Sequence, residues 1–162
     1  YDPTQQPEPP ADQWPAARLA KANRNYALEY IRNGLIALSA VVGVQEAQAL
    51  GVKAARLIGL QYYAETADAL DIADQGISSG AAYLQRLFAV LGDDVEVQQS
   101  ATGFTLLHSN LRVSQGLGDV ESDLLVHCWQ GLWQGAMQSR REMLRLNASA
   151  SADGITWTLE FA

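Results

Sequence analysis

The hydrophobic repeat of this chain changes period after Leu91, and that change restricts the fold more than any other feature. Up to Leu91, apolar residues recur every three or four positions, as they do on helices. Beyond it, Val95 and Val97, Phe104 and Leu106, and Leu111 and Val113 recur at even spacing across the turn Ser100-Ala101-Thr102-Gly103. That pattern predicts a hairpin. A helical period returns between Asp119 and Met143. Leu144, Leu146 and Ala148 then alternate, the turn Ser151-Ala152-Asp153-Gly154 follows, and Ile155, Trp157, Leu159 and Phe161 alternate again. Asp-Gly is a strong hairpin signal. The order helices, hairpin, helix, hairpin predicts an α+β domain, with an antiparallel four-stranded sheet of two hairpins packed against helices.

The helical half divides at its glycines. All five prolines fall in the first 15 residues, so residues 1–13 read as an extended or disordered proline-rich leader, and 14–162 as a single domain. Asp12 is placed to cap a helix whose first turn holds Pro15, with Leu19, Ala22, Tyr26 and Tyr30 at helical spacing. Gly34 is expected to interrupt it, residues 35–49 to resume it, and Gly51 to break it again. Val52–Leu70 reads as an amphipathic helix with Ala55, Ile58, Tyr62 and Ala69 on one face. Gly76–Gly80 reads as a loop, and Ala81–Leu91 as a helix closed by Gly92-Asp93.

Bulk properties exclude several function classes. Hydrophobic residues make up 48% of the 162, enough for one core. A net charge of −7 argues against nucleic acid or an anionic membrane surface as the main partner. The longest apolar run, Gly34–Val44, is too short to span a membrane. One cysteine rules out an intrachain disulfide, so the redox compartment is not legible. Starting at Tyr1 rather than Met, the chain reads as trimmed or processed, and both cytoplasmic and exported locations stay open.

Catalytic motifs such as G-x-S-x-G, a glycine-rich phosphate loop or H-E-x-x-H do not occur. His127 and Cys128 are adjacent on a helix and point about 100° apart, which disfavours a nucleophile–base pair. A His108–His127–Cys128 cluster would need the preceding hairpin to pack across that helix, and two or three ligands fall short of a closed zinc site. The alternative is a buried thiol. Val120, Leu124, Leu125, Cys128, Trp129, Leu132, Trp133, Ala136 and Met137 form one apolar stripe with Cys128 in its middle. Gly131 and Gly135 each cost about 1 kcal/mol in a helix interior. Either close helix packing or room for a ligand against Trp129 and Trp133 would offset that cost.

Three stretches stand out: Gly51-Val-Lys-Ala-Ala-Arg through Tyr62-Tyr63 to Asp68-Ala-Leu70, Leu84-Gln85-Arg86-Leu87 before Val95-Glu96-Val97, and His127-Cys128-Trp129 through Gly131 to Gly135. In this order, and with the terminal hairpin, they resemble the 4-vinyl reductase or hydrocarbon-binding domain family, the sensory module of aromatic-responsive regulators. The resemblance covers roughly residues 35–162 and implies a sheet and helices enclosing a small-molecule pocket, often in a homodimer. It sets Cys128 at the first ligand of a structural zinc. The last hairpin carries none of the partner cysteines, so no metal or other cofactor is expected. Gln85 falls about where phenol sensors of this type place a ligand-binding histidine. A looser resemblance links the closing helix and hairpin to aminothiazoline-carboxylate hydrolase-like proteins.

Together these readings favour a dimeric domain that binds a small apolar or aromatic molecule. Tyr62, Tyr63, Trp129 and Trp133 would supply walls, and Gln85 and His108 would orient a polar substituent. No catalytic residue is assigned. The alternatives are a small hydrolase using Cys128 or His127, and an assembly subunit that keeps only the scaffold.

Overall fold

A computed structural model describes residues 14–73, 75–151 and 154–162. The leader, the Asp12 cap and the Ala152-Asp153 pair of the last turn lie outside the described residues. The elements run α1 (Ala16–Val42), α2 (Val44–Ala69), α3 (Gly76–Leu91), β1 (Asp94–Gln99), β2 (Gly103–Ser109), α4 (Asp119–Gln138), β3 (Leu144–Ser151) and β4 (Gly154–Phe161). The strands form one antiparallel sheet in the order β1-β2-β4-β3. The fold is therefore α+β, with two hairpins joined edge to edge through β2 and β4.

Alternation along the strands builds a one-sided sheet. Leu106 pairs with Trp157 and Val97, Phe104 with Leu159, and His108 with Ile155, so these side chains share the face that meets the helices. Arg145, Asn147, Thr156, Thr158 and Glu160 alternate onto the other face. Helix α3 packs across β1, β2 and β4, α4 lies along β3, and α2 lies on α4. Trp157, Phe88, Leu84, Leu106, Leu159 and Met137 are fully enclosed between sheet and helices. α3 ends as expected at Gly92, whose φ of +85° is a left-handed cap, with the Asp93 amide donating to the Phe88 carbonyl.

The glycine punctuation differs from expectation. α1 runs through Gly34 and α2 through Gly51. The break between them is at Gly43, which adopts φ +89° and ψ 154°. A single helical glycine costs about 1 kcal/mol, which flanking turns already nucleated on both sides outweigh. Gly43 instead leaves helical geometry altogether, in a conformation that L side chains rarely adopt. The segment Gly76–Gly80 is the first turn of α3 rather than a loop. The Gly76 amide donates to Glu142 Oε2 at 2.8 Å, and Ser79 Oγ donates back to the Gln75 carbonyl. β2 stops at Ser109 because Asn110 turns the chain with φ +55°. Val113, expected in the hairpin, is buried in the core from a turn instead.

The contact between α2 and α4 is backbone against backbone. A Cβ on Gly59 would overlap the Leu132 carbonyl oxygen, and one on Gly135 would overlap that of Arg56. On Gly131 it would stand 2.9 Å from the Val52 oxygen, and on Gly51 2.6 Å from Cys128 Sγ. Close approach therefore accounts for Gly131 and Gly135. Gly34, by contrast, has nothing within 4 Å of a Cβ. Gly59→Ala and Gly135→Ala should each destabilise the fold by about 2 kcal/mol or more through overpacking against fixed backbone. Gly34→Ala should stabilise it by about 0.5–1 kcal/mol. Urea denaturation of the three variants checks both directions.

Candidate functional site

Helix α4 places its chemically distinctive residues, His127, Cys128, Trp129 and Trp133, in different surroundings. His127 is exposed, and its Nδ1 lies 2.7 Å from the Asp123 carbonyl, one turn back on the same helix. Because a carbonyl only accepts, Nδ1 carries the proton there. Cys128 is buried at 4% exposure, and burial pushes its thiol from the ordinary 9.0 up to about 11. The thiol is thus held protonated at neutral pH, the opposite of an activated nucleophile. Trp129 and Trp133 lie edge-on to each other with ring centroids 5.3 Å apart. Their indole N–H groups are buried and meet no acceptor among the described residues.

His108 sits in the core, remote from any His127–Cys128 cluster. Its ring stacks on Phe88 with centroids 4.0 Å apart. Trp157 Nε1 donates to His108 Nδ1 at 3.2 Å, so the other nitrogen, Nε2, carries the proton and donates to Asp93 Oδ2 at 2.9 Å. The second oxygen of Asp93 accepts from the Arg112 amide at 2.9 Å. With both His108 and Asp93 side chains essentially enclosed, this chain of bonds ties β2 to β4 and to the α3–β1 turn. Among the described residues no three His, Cys, Asp or Glu side chains gather where they could hold a metal.

An apolar cleft of about 350 Å³ opens between α1, α2 and α4. α1 contributes Tyr30, Ile31, Gly34, Leu35 and Leu38. α2 adds Gly51, Ala54, Ala55 and Ile58, and α4 provides the floor with Leu125, Cys128, Trp129 and Leu132. Gly34 on α1 and the small residues Gly51, Ala54 and Ala55 on α2 make the room. Among these thirteen residues, the Tyr30 hydroxyl, the Cys128 thiol and the Trp129 indole N–H are the only polar side-chain groups.

Of the six residues singled out from sequence, only Trp129 lines this cleft. Trp133 lies one ring deeper, edge-on to Phe88 at 5.5 Å, and continues the row to His108. Tyr63 is buried elsewhere, with its hydroxyl accepting from Arg140 Nη1 at 2.6 Å and its ring 4.9 Å from Tyr83. Burial raises the Tyr83 phenol above its ordinary range, and a hydrogen bond with Thr66 offsets part of that. Tyr62 and Gln85 are exposed. Helical phase separates the pairs: Tyr62 and Tyr63 point about 100° apart, and so do Leu84, which is enclosed, and Gln85. The α1 wall was missed because period alone gives no partner for Tyr30 and Leu35. Of the α2 face expected from Ala55, Ile58, Tyr62 and Ala69, only Ala55 and Ile58 line the cleft; Tyr62 and Ala69 are exposed, and α2 buries Ala47, Gly59, Tyr63 and Ala67 instead.

No known protein family, curated protein or solved structure matches this chain. The likeness to hydrocarbon-binding domains therefore rests on the motifs quoted above.

Cys128 makes the burial testable. A thiol whose folded-state value is raised contributes stability that is complete below its ordinary value of 9.0 and is lost as pH climbs towards about 11. Tyr83 acts in the same direction. Stability should fall across that range, and Cys128→Ala should flatten the fall by on the order of 1 kcal/mol in denaturant titrations. At pH 8 a thiol reagent should label Cys128 slowly in native protein and rapidly in urea. Rapid native labelling would argue for a reactive thiol.

Proposed function

We propose that this chain binds a small apolar or aromatic molecule in the cleft between α1, α2 and α4, and works as a binding domain rather than an enzyme. The carrying observation is the cleft itself: about 350 Å³, with side-chain walls that are carbon except for one phenol, one indole N–H and one protonated thiol. That volume lies in the usual range for small-molecule sites. Trp129 offers a flat aromatic wall, and aromatic ligands gain from offset or edge-on contact with such a ring. The hydrolase alternative finds little support. Cys128 is desolvated, and His127 bonds to its own helix on the exposed side.

A homodimer is the second part of the reading, supported by the distribution of exposed apolar side chains. Leu28 is the one buried residue of the 27 in α1. Tyr26, Tyr30, Leu57, Ile58 and Tyr62 are all exposed on α1 and α2. Exposed apolar side chains that cluster, as Tyr30 and Ile58 do at the cleft, mark interaction sites. Tyr30 and Ile58 also line the cleft, so a second copy seated there would cover its mouth.

Binding should be read by thermal shift and by Trp129 fluorescence, using indole, toluene and naphthalene as probes. At about a hundred times its dissociation constant a ligand adds about 2.7 kcal/mol of stability, a shift of several degrees for a domain of this size. Gly34→Leu should abolish the shift while keeping the fold, because a side chain there grows into open space. A probe series with no shift in the unmodified protein would leave the assembly-scaffold reading in its place, and a monomer in native mass spectrometry would overturn the homodimer.

A further inference from the structure

Three arginines converge where α1 crosses the α3–β1 turn and the segment linking β2 to α4. Arg24 Nη1 donates to the Val90 carbonyl at 3.1 Å, in the last turn of α3. Arg32 Nη2 donates to the Gln115 carbonyl at 2.9 Å. Arg112 Nη2 donates to Asn25 Oδ1 at 3.3 Å. A Cβ on Gly92 would stand 3.2 Å from Arg112 Nη1 and 3.7 Å from Arg24 Nη1, so those two nitrogens are within about 7 Å of each other. All three residues are half-buried.

The acids do not balance them. Glu29 Oε1 pairs with Arg32 Nη1 at 3.1 Å, and that carboxylate side chain is 57% exposed. Asp93 spends one oxygen on His108 and the other on the Arg112 backbone amide, and forms no ion pair with a guanidinium. Arg24 and Arg112 have no carboxylate within ion-pair reach among the described residues. In addition, Arg24 Nε and Arg32 Nε are buried N–H donors without an acceptor among those residues. Carbonyl bonds satisfy part of each guanidinium and help fix α1 to the body, but they neutralise no charge. Like charges at such separation, partly removed from water, repel unless an anion sits among them.

Beside them lies a cavity of about 230 Å³, lined by Asn25, Leu28, Glu29, Arg32, Arg112 and Gln115. We propose that this cavity is a binding site for a small oxyanion, a phosphate or carboxylate group, held by Arg32 and Arg112, with Arg24 adding positive charge beside Arg112. Planar guanidinium groups suit both chemistries, through paired N–H donors to two oxygens. The site is separate from the apolar cleft and does not rest on the proposed function. Because α1 supplies Asn25, Glu29 and Arg32 to the site and Tyr30 to Leu38 to the cleft, a bound anion would also brace the cleft's outer wall.

The test uses the full chain, with inorganic phosphate and succinate titrated separately against chloride at matched ionic strength. Thermal shift follows both, and ³¹P line broadening follows phosphate directly. At least one of the two anions should raise the melting temperature in a saturable way that chloride does not reproduce. Which one does so distinguishes a phosphate source from a carboxylate source. Arg112→Gln should remove the anion-dependent shift. Because that variant also loses the Asn25 bond, Glu29→Gln provides the opposite sign. It removes the one carboxylate in the cavity and should tighten binding by up to about fivefold, the scale of an exposed ion pair. Equal responses to phosphate, succinate and chloride, or an affinity unmoved by Glu29→Gln and Arg112→Gln alike, would overturn the proposal.

Discussion

The backbone contact between α2 and α4 is the constraint from which the rest of the structure follows. Two helices normally pack 8–10 Å apart on their side chains. Here Gly59 and Gly135 remove the side chains where the helices cross, so a carbonyl of each helix lies against a glycine of the other. α4 is thereby committed on two sides, to α2 on one and to β3 on the other. Its stripe splits accordingly. Leu125, Trp129, Trp133 and Met137 join the sheet core, while Leu124 and Cys128 join the smaller cluster with Ala47 of α2.

That split explains why the cleft lies where it does. Small residues let α2 sink onto α4, and α1 crosses above both with larger side chains. α1 cannot follow α2 down, because Leu35 and Leu38 already rest on the smaller cluster. The space left beneath Tyr30 and Ile31 and beside Ala54, Ala55 and Gly51 is the cleft. The same poor docking leaves the outer apolar residues of α1 and α2 exposed, and it makes the arginine contacts at Val90, Gln115 and Asn25 important in holding α1 to the body.

The buried polar groups specify the sheet side. Trp157 donates, His108 relays and Asp93 accepts, so each group has one role and the chain runs in one direction. A satisfied network of this kind fixes register, because shifting β2 by one residue would turn His108 to the solvent face and strand both partners. It also explains why the one buried histidine is structural. Both of its ring nitrogens are taken, by Trp157 and by Asp93, and Asp93 in turn is held by the Arg112 amide.

Hydrophobic period alone determined the element types, the two hairpins, the antiparallel sheet and the inner face of β4, because alternation and helical repeat are local properties of the chain. It also determined that Cys128 belongs to the apolar stripe and that His127 points away from it. Tertiary structure decided which glycines break a helix and which permit one to approach another. Gly34, Gly43, Gly51 and Gly135 look alike in sequence, yet only Gly43 adopts a positive φ and only Gly51 and Gly135 face a neighbour within contact distance. It likewise decided that Trp129 reaches the cleft while Tyr63, His108 and Trp133 are consumed by packing and hydrogen bonds. A site is a meeting of side chains distant in sequence, and the crossing of α1 over α2 and α4 that brings Tyr30 near Trp129 depends on contacts that no local repeat encodes.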